Sequence, residues 1–169
     1  MGSSAWIEGE WQVPATAVIQ SLNLNDCPQS ESAIPAATIS AYLATDYKVF
    51  AAEPFVLNIG RPSSELALVF KLNRTDRAAF ITAWNPLSEP TSDSANHAAQ
   101  QKLLAGIKTL GWPYVDGEGR SSSGLWPGEP GLLVFGISLE AAKTLASQFR
   151  QNGFVYAGSD ATPRLILLR

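Results

Sequence analysis

Ala79-Phe80-Ile81-Thr82-Ala83-Trp84-Asn85-Pro86, continued by Thr91-Ser92-Asp93-Ser94 and Asn96-His97, is the stretch that decides the fold. Its apolar half predicts a strand over residues 79–84, and Asn85-Pro86 ends it. Ser92, Asp93 and Ser94 are each competent N-caps for a helix that sets Ala99, Leu103, Gly106-Ile107 and Leu110 on one stripe and closes at Gly111. Downstream, residues 113–116 read as a short strand and residues 117–130 as a glycine- and serine-rich loop. Leu132-Leu133-Val134-Phe135 is continuously apolar, which predicts a strand covered on both faces. Ser138 then caps a helix carrying Ala142, Leu145, Ala146 and Phe149, which stops at Gly153, and residues 154–157 and 164–168 close the chain as strands. Strand, helix, strand, strand, helix, strand is the split βαβ order of a ferredoxin-like α+β fold, with two helices on one face of the sheet.

Upstream of that core the signals are shorter. A helix is expected over residues 32–44, with Pro35 in its first turn and Ile39, Tyr42 and Leu43 at helical spacing. Strands follow at 47–50 and 55–59, and Gly60-Arg61-Pro62-Ser63-Ser64 breaks the chain. Leu66, Leu68, Phe70 and Leu72 alternate, which predicts a third added strand. The expectation is one domain over 32–169, its ferredoxin-like core extended by N-terminal strands and one N-terminal helix. Residues 1–31, with Trp6 and Trp11 among scattered aliphatics, form a segment packed on that domain or partly disordered.

Composition narrows the function class. Twelve basic residues against fifteen acidic ones give a net charge of -3, and no two of the basic residues are adjacent, so no nucleic-acid footprint is visible. One cysteine, Cys27, and one histidine, His97, are too few for an internal disulfide or a multi-Cys or multi-His metal site. The longest apolar runs fall far short of a bilayer span, and the first residues lack a basic, apolar leader; a cytoplasmic protein without membrane association is expected.

Three constellations carry what chemistry there is. Trp84, Asn85, Asn96 and His97 flank a helix start, where backbone N–H groups and two amides could orient an anion beside an aromatic face. The same residues also serve a purely local role, Asn85 in its turn and Trp84 in the core. The 117–130 loop is either a lid, with Trp126 closing on a ligand, or a surface connection. Asp116, Glu118 and Glu129 are candidate acids, bases or oxygen ligands, or else a solvated rim. Arg61 and Arg120 are the cations best placed by sequence to meet an anion. No nucleophile elbow, phosphate-binding loop or dinucleotide fingerprint is present, so no catalytic residue, metal or cofactor is assigned.

Tyr42-Leu43-Ala44-Thr45-Asp46-Tyr47, Leu57-Asn58-Ile59-Gly60, Phe80-Ile81-Thr82-Ala83-Trp84-Asn85-Pro86, Trp126-Pro127-Gly128-Glu129-Pro130 and Phe149-Arg150-Gln151-Asn152 resemble the DUF3293 family of bacterial proteins, over residues 39–168. Gly131 and Arg150 stand where that family's pattern usually has Ser and Gly. The family has no assigned function, so the resemblance implies a small cytoplasmic bacterial domain and transfers no activity. The functional expectation is a binding or regulatory module for a small polar or anionic ligand. Its site would be Trp84, Asn85, Asn96 and His97 together with Arg61, Arg120, Trp126 and Glu129. A protein-interaction module using exposed Trp and edge strands, and a hydrolase using the loop carboxylates, are the alternatives.

Overall fold

The computed structural model describes residues 32–122, 124 and 127–169. The strand at the centre of the sequence reading is β3 (Ala78–Ile81), and all four of its residues are buried. Alternation sends Ala78 and Phe80 into one apolar cluster and Ala79 and Ile81 into another, so β3 separates two cores. Its neighbour β5 (Glu129–Phe135) repeats the pattern: Leu133 and Phe135 face one side, Leu132 and Val134 the other. A strand buried on both faces needs no polar alternation, which is why this run reads as solid hydrophobic sequence.

Around that pair the strands β1 (Thr45–Val49), β2 (Phe55–Leu57), β4 (Tyr114–Ser121), β6 (Gly153–Ala157) and β7 (Arg164–Leu167) complete one curled sheet, ordered β2-β1-β4-β5-β3-β6-β7. Every pairing is antiparallel. On one face, helices α3 (Asp93–Thr109) and α4 (Leu139–Gln148) bury Leu103, Ile107, Ala142, Leu145 and Ala146 against Ile81, Leu132 and Val134. Ser92 and Ser138 cap them, their hydroxyls accepting from the Ala95 and Ala141 N–H groups. Gly111, just past α3, takes φ +72, the left-handed conformation of a helix-terminating glycine. Leu110, expected on the buried stripe of α3, is instead exposed.

The opposite face is covered by α2 (Ser64–Leu72), with α1 (Ala36–Leu43) preceding β1. Here the structure corrects the sequence reading, since residues 64–72 form a helix and not a strand, giving four α-helices and a seven-stranded sheet among the described residues. The spacing of two that suggested alternation is also a spacing of four between Leu66 and Phe70, the two residues α2 buries, while Leu68 and Leu72 are exposed. Ser63 caps this helix at 3.0 Å from the Leu66 N–H, and Glu65 sits in its first turn, where an acid suits the dipole.

The expected 117–130 loop is also corrected. Residues 117–121 belong to β4 and residues 129 and 130 to β5, in register as Gly117 with Gly131, Glu118 with Pro130 and Gly119 with Glu129. Glycine here answers a steric demand. A Cβ at Gly117 would lie 2.5 Å from the Lys48 carbonyl oxygen and 2.6 Å from Phe80 Cε2, and one at Gly131 would overlap Phe80 Cε1 and stand 2.6 Å from its Cζ. The paired glycines make room for the Phe80 ring, which meets Tyr47 edge-on at 5.3 Å between centroids. Trp126, the proposed lid residue, and residues 1–31, with Trp6, Trp11 and Cys27, lie outside the described residues. Among the described residues no helix is long and apolar enough to cross a membrane.

Candidate functional site

Beyond Ile81 the chain leaves β3 and is fastened residue by residue. The Thr82 hydroxyl donates to the Pro130 carbonyl at 2.6 Å and accepts from the Trp84 N–H at 3.0 Å. The Ala83 N–H donates to Gln100 Oε1 of α3 at 2.9 Å, and Gln151 Nε2 donates to the Trp84 carbonyl at 3.1 Å. Asn85 then takes φ +45, a left-handed conformation that asparagine adopts more readily than most side chains.

Asn85 and Asn96 interlock. The Asn85 N–H donates to Asn96 Oδ1 at 2.8 Å, the Thr91 hydroxyl donates to the same oxygen at 2.7 Å, and Asn96 Nδ2 donates to Asn85 Oδ1 at 2.9 Å. A backbone N–H can only donate, so Asn96 must turn its oxygen to it and its amide nitrogen to Asn85 Oδ1. That leaves Asn85 Nδ2 facing away, where it donates to Glu129 Oε1 at 2.7 Å. Asn96 is 2% exposed, so the network is rooted in a buried side chain, with Asn85 and Glu129 half-buried and Thr91 at the surface. One backbone anchor thereby fixes the orientation of both amides and aims a donor at the carboxylate of Glu129.

The next turn is strained. Leu87 and Ser88 both have φ +59, following Asn85, so three residues of four are left-handed without a glycine among them. Conformations of this kind cost about 1–3 kcal/mol each and persist where surrounding contacts over-determine them. Here those contacts are the Leu87 N–H to the Arg150 carbonyl at 2.8 Å, the Ser88 hydroxyl to Tyr42 OH, and Asn152 Nδ2 to the Ser88 hydroxyl at 3.1 Å. Arg150, at the position where the family pattern usually has Gly, is itself left-handed at φ +54. The buried Asn152 Oδ1 has no hydrogen-bond partner among the described residues.

These elements enclose a cavity of about 440 Å3 on the face of the sheet bearing Phe80. Ala37, Ala41 and Tyr42 of α1 line one side; Phe80, Val155 and Leu165 supply apolar surface; Asn85, Ser88, Glu129 and Gln151 form its polar end. Gly119, directly opposite both Tyr47 and Glu129 in the ladder, leaves the space open where another residue would project a side chain. Glu129 is the single charged side chain among the described lining residues. Burial pushes its carboxyl above the ordinary value of 4.5, and the Asn85 hydrogen bond offsets part of that. Burial likewise drives the Tyr47 phenol upward.

Of the residues expected at a site, Trp84, Asn85 and Glu129 line this cavity, and Asn96 supports them from beneath. His97 does not join them. It meets Trp84 edge-on at 5.0 Å and lines a second cavity of about 300 Å3 on the opposite face, with Gln100, Asp116 and Glu118. Trp84 borders both cavities. Arg61 is exposed in the β2–α2 connection and lines neither cavity. Arg120 points away from Glu129 and pairs with Glu118 at 2.6 Å. The three carboxylates therefore divide, Glu129 on one face and Asp116 and Glu118 on the other, and among the described residues no group of three His, Cys, Asp or Glu is placed to hold a metal. Tyr42, Thr82, Ser88 and Gln151 are lining residues that sequence reasoning missed. Tyr42, Thr82 and Gln151 sat inside the runs that carried the family resemblance, whereas Ser88 had no local signal.

The polar end of the cavity comes wholly from one part of the chain. Residues 81–153 match the family model described as protein of unknown function (DUF3293). That stretch is similar to the DUF3293 family. It is just under half of the chain, narrower than the 39–168 expected, and leaves the runs at 42–47 and 57–60 outside. Asn85, Asn96, Glu129 and Gln151 all lie within the DUF3293 stretch, while Tyr42, Tyr47 and Phe80 complete the cavity from outside it. No curated protein and no solved structure matches the chain.

Glu129 gives a pH signature. The native protein binds its proton more tightly than the unfolded chain, so its contribution to stability is present in full below about 4.5 and is lost as pH rises through the folded value. Glu129→Gln keeps an acceptor for Asn85 and removes the buried charge. We expect it to be more stable than the parent near pH 7 and equally stable near pH 4, as read by urea denaturation at the two pH values. A stability difference from the parent that is the same at both pH values would contradict this.

Proposed function

We propose that the protein is a small-molecule-binding domain, built on a ferredoxin-like core, whose site is the cavity between α1 and the polar end of β3 and β5. The ferredoxin-like reading is supported by the sequential order β3-α3-β4-β5-α4-β6, the spatial order β4-β5-β3-β6, and the placing of both helices against one sheet face. The binding reading is carried by one observation: the bond from Asn85 Nδ2 to Glu129 Oε1, oriented by a buried amide network, at the end of a partly apolar hollow of about 440 Å3. Ligand sites have this make-up, mostly apolar walls with a few fixed polar groups. The left-handed run at 85–88 adds to it, because strain held by its surroundings gathers at functional sites.

The test uses a plug. A Cβ at Gly119 would meet Thr45 Cγ2 at 3.5 Å and Tyr47 at 3.8 Å, ordinary contacts, and Gly119 lacks a positive φ. Gly119→Val should therefore fold normally while filling the cavity. In a thermal-shift screen of small polar compounds, at least one is expected to raise the Tm of the parent by about 5–10 °C at a hundredfold excess over Kd, the shift that about 2.7 kcal/mol of linkage produces. The same compound should leave Gly119→Val unmoved. Equal shifts in both proteins, or none in either, would refute the cavity as a site.

A further inference from the structure

We propose that the cavity selects a small organic ammonium ion, its N–H donating to Glu129 Oε2 and its apolar or flat body lying against Phe80, Tyr47 and Val155. This rests on the binding reading above and names the ligand class. Three observations of charge and hydrogen-bonding capacity support it. No Lys or Arg lines the cavity among the described residues, and its one charge is negative, so an anion would enter against an uncompensated carboxylate. The start of α3, the natural place for an anion, is taken: Ser92 caps it, Asp93 occupies its first turn, and the Asn96 side chain is spent on Asn85 and Thr91.

Glu129 also has acceptor capacity to spare. Glu129 Oε1 accepts from Asn85, and Oε2 has no partner among the described residues. An open carboxylate acceptor calls for a ligand that donates. Tyr42 and Trp84 line the same space, and aromatic rings of this kind suit a cation.

Phenethylamine, 2-phenylethanol and 3-phenylpropionate share a phenyl ring and a short spacer and differ in charge. Each is titrated into the full chain near pH 7, with the backbone amides of Thr82, Gly119 and Gln151 followed by NMR. The amine is expected to bind about tenfold more tightly than the alcohol, as for one charge-assisted bond, and the carboxylate most weakly. Glu129→Gln should reduce the amine to the affinity of the alcohol. Lowering the pH of the unaltered protein towards 4 should do the same without mutation, because Glu129 then takes a proton. The other titratable groups lining the cavity are the phenols of Tyr42 and Tyr47, a group type uncharged in this range, and Asp116, Glu118 and Arg120 lie across the sheet. If the alcohol or carboxylate moves these amides at equal or lower concentration, or the amine keeps its preference in Glu129→Gln, the ammonium assignment falls while the site stands. If none of the three moves them, both readings fall.

Discussion

Gly131→Ala is expected to destabilise the protein by about 3 kcal/mol, a fall in Tm of about 6–12 °C, although it adds a single methyl group. The added carbon would overlap Phe80 Cε1; with Gly117 at the ring's other edge and Tyr47 packed against it, the ring can yield only towards the cavity, at the expense of that packing. Gly117→Ala should cost at least as much, because its Cβ meets the Lys48 backbone carbonyl at 2.5 Å as well as the ring. The two differ in rescue. Phe80→Leu, which shortens the side chain, should recover part of the loss in Gly131→Ala and little of it in Gly117→Ala, where the backbone clash remains. Gly119→Ala, two residues along the same strand, meets its neighbours at 3.5 Å or more and should be nearly neutral. Urea denaturation of the set decides it; equal effects at all three glycines would mean that they reflect strand propensity and not room for Phe80.

The second large effect is expected at Asn96. Asn96→Ala removes three hydrogen bonds at once, leaving the Asn85 N–H and the Thr91 hydroxyl without the Asn96 acceptor, while Asn85 Oδ1 keeps only the Thr91 N–H, at 3.2 Å. Unsatisfied buried groups cost about 1–3 kcal/mol each, and water reaches part of this set, so a loss of about 3 kcal/mol is expected. Asn96→Asp separates acceptor from donor function. It preserves the oxygen that serves Asn85 and Thr91 but sets a second oxygen against Asn85 Oδ1. Its loss should be smaller near pH 3, where a protonated carboxyl can donate, than near pH 7. Because Asn96 orients Asn85, both variants should also abolish the thermal shift caused by any cavity ligand, whereas loss of stability with ligand binding intact would separate the network from the site.

Much of this architecture was legible where local pattern and tertiary environment coincide. Leu132 to Phe135 is apolar throughout because β5 is covered on both faces, and Ser92, Ser138 and Gly111 stand at helix ends for reasons contained in their own turns. Leu66 to Leu72 misled because a period of two and a spacing of four share the same positions, and only burial of Leu66 and Phe70 against the sheet separates them. Glycines 117 and 119 suggested a loop because glycine is read as freedom. Gly117, with Gly131, instead answers a ring contributed by a strand more than thirty residues away, which no local window contains. The site followed the same division. Trp84 and Asn85 announced themselves as polar and aromatic residues at a strand end, and Glu129 was named beside them. Tyr42, Ser88 and Gln151 join them only through sheet order, and the helix start that suggested an anion is filled by its own side chains.

The account depends on Asn85 and Glu129, forty-four residues apart, meeting at one end of one cavity. A double-mutant cycle over Asn85→Ala, Glu129→Ala and the pair, read by urea denaturation near pH 7, measures that meeting directly. The strain of Ala at a left-handed position cancels within the cycle. A favourable coupling of about 1–2 kcal/mol is expected for an amide donating to a partly buried carboxylate. Additivity within about 0.3 kcal/mol would contradict it.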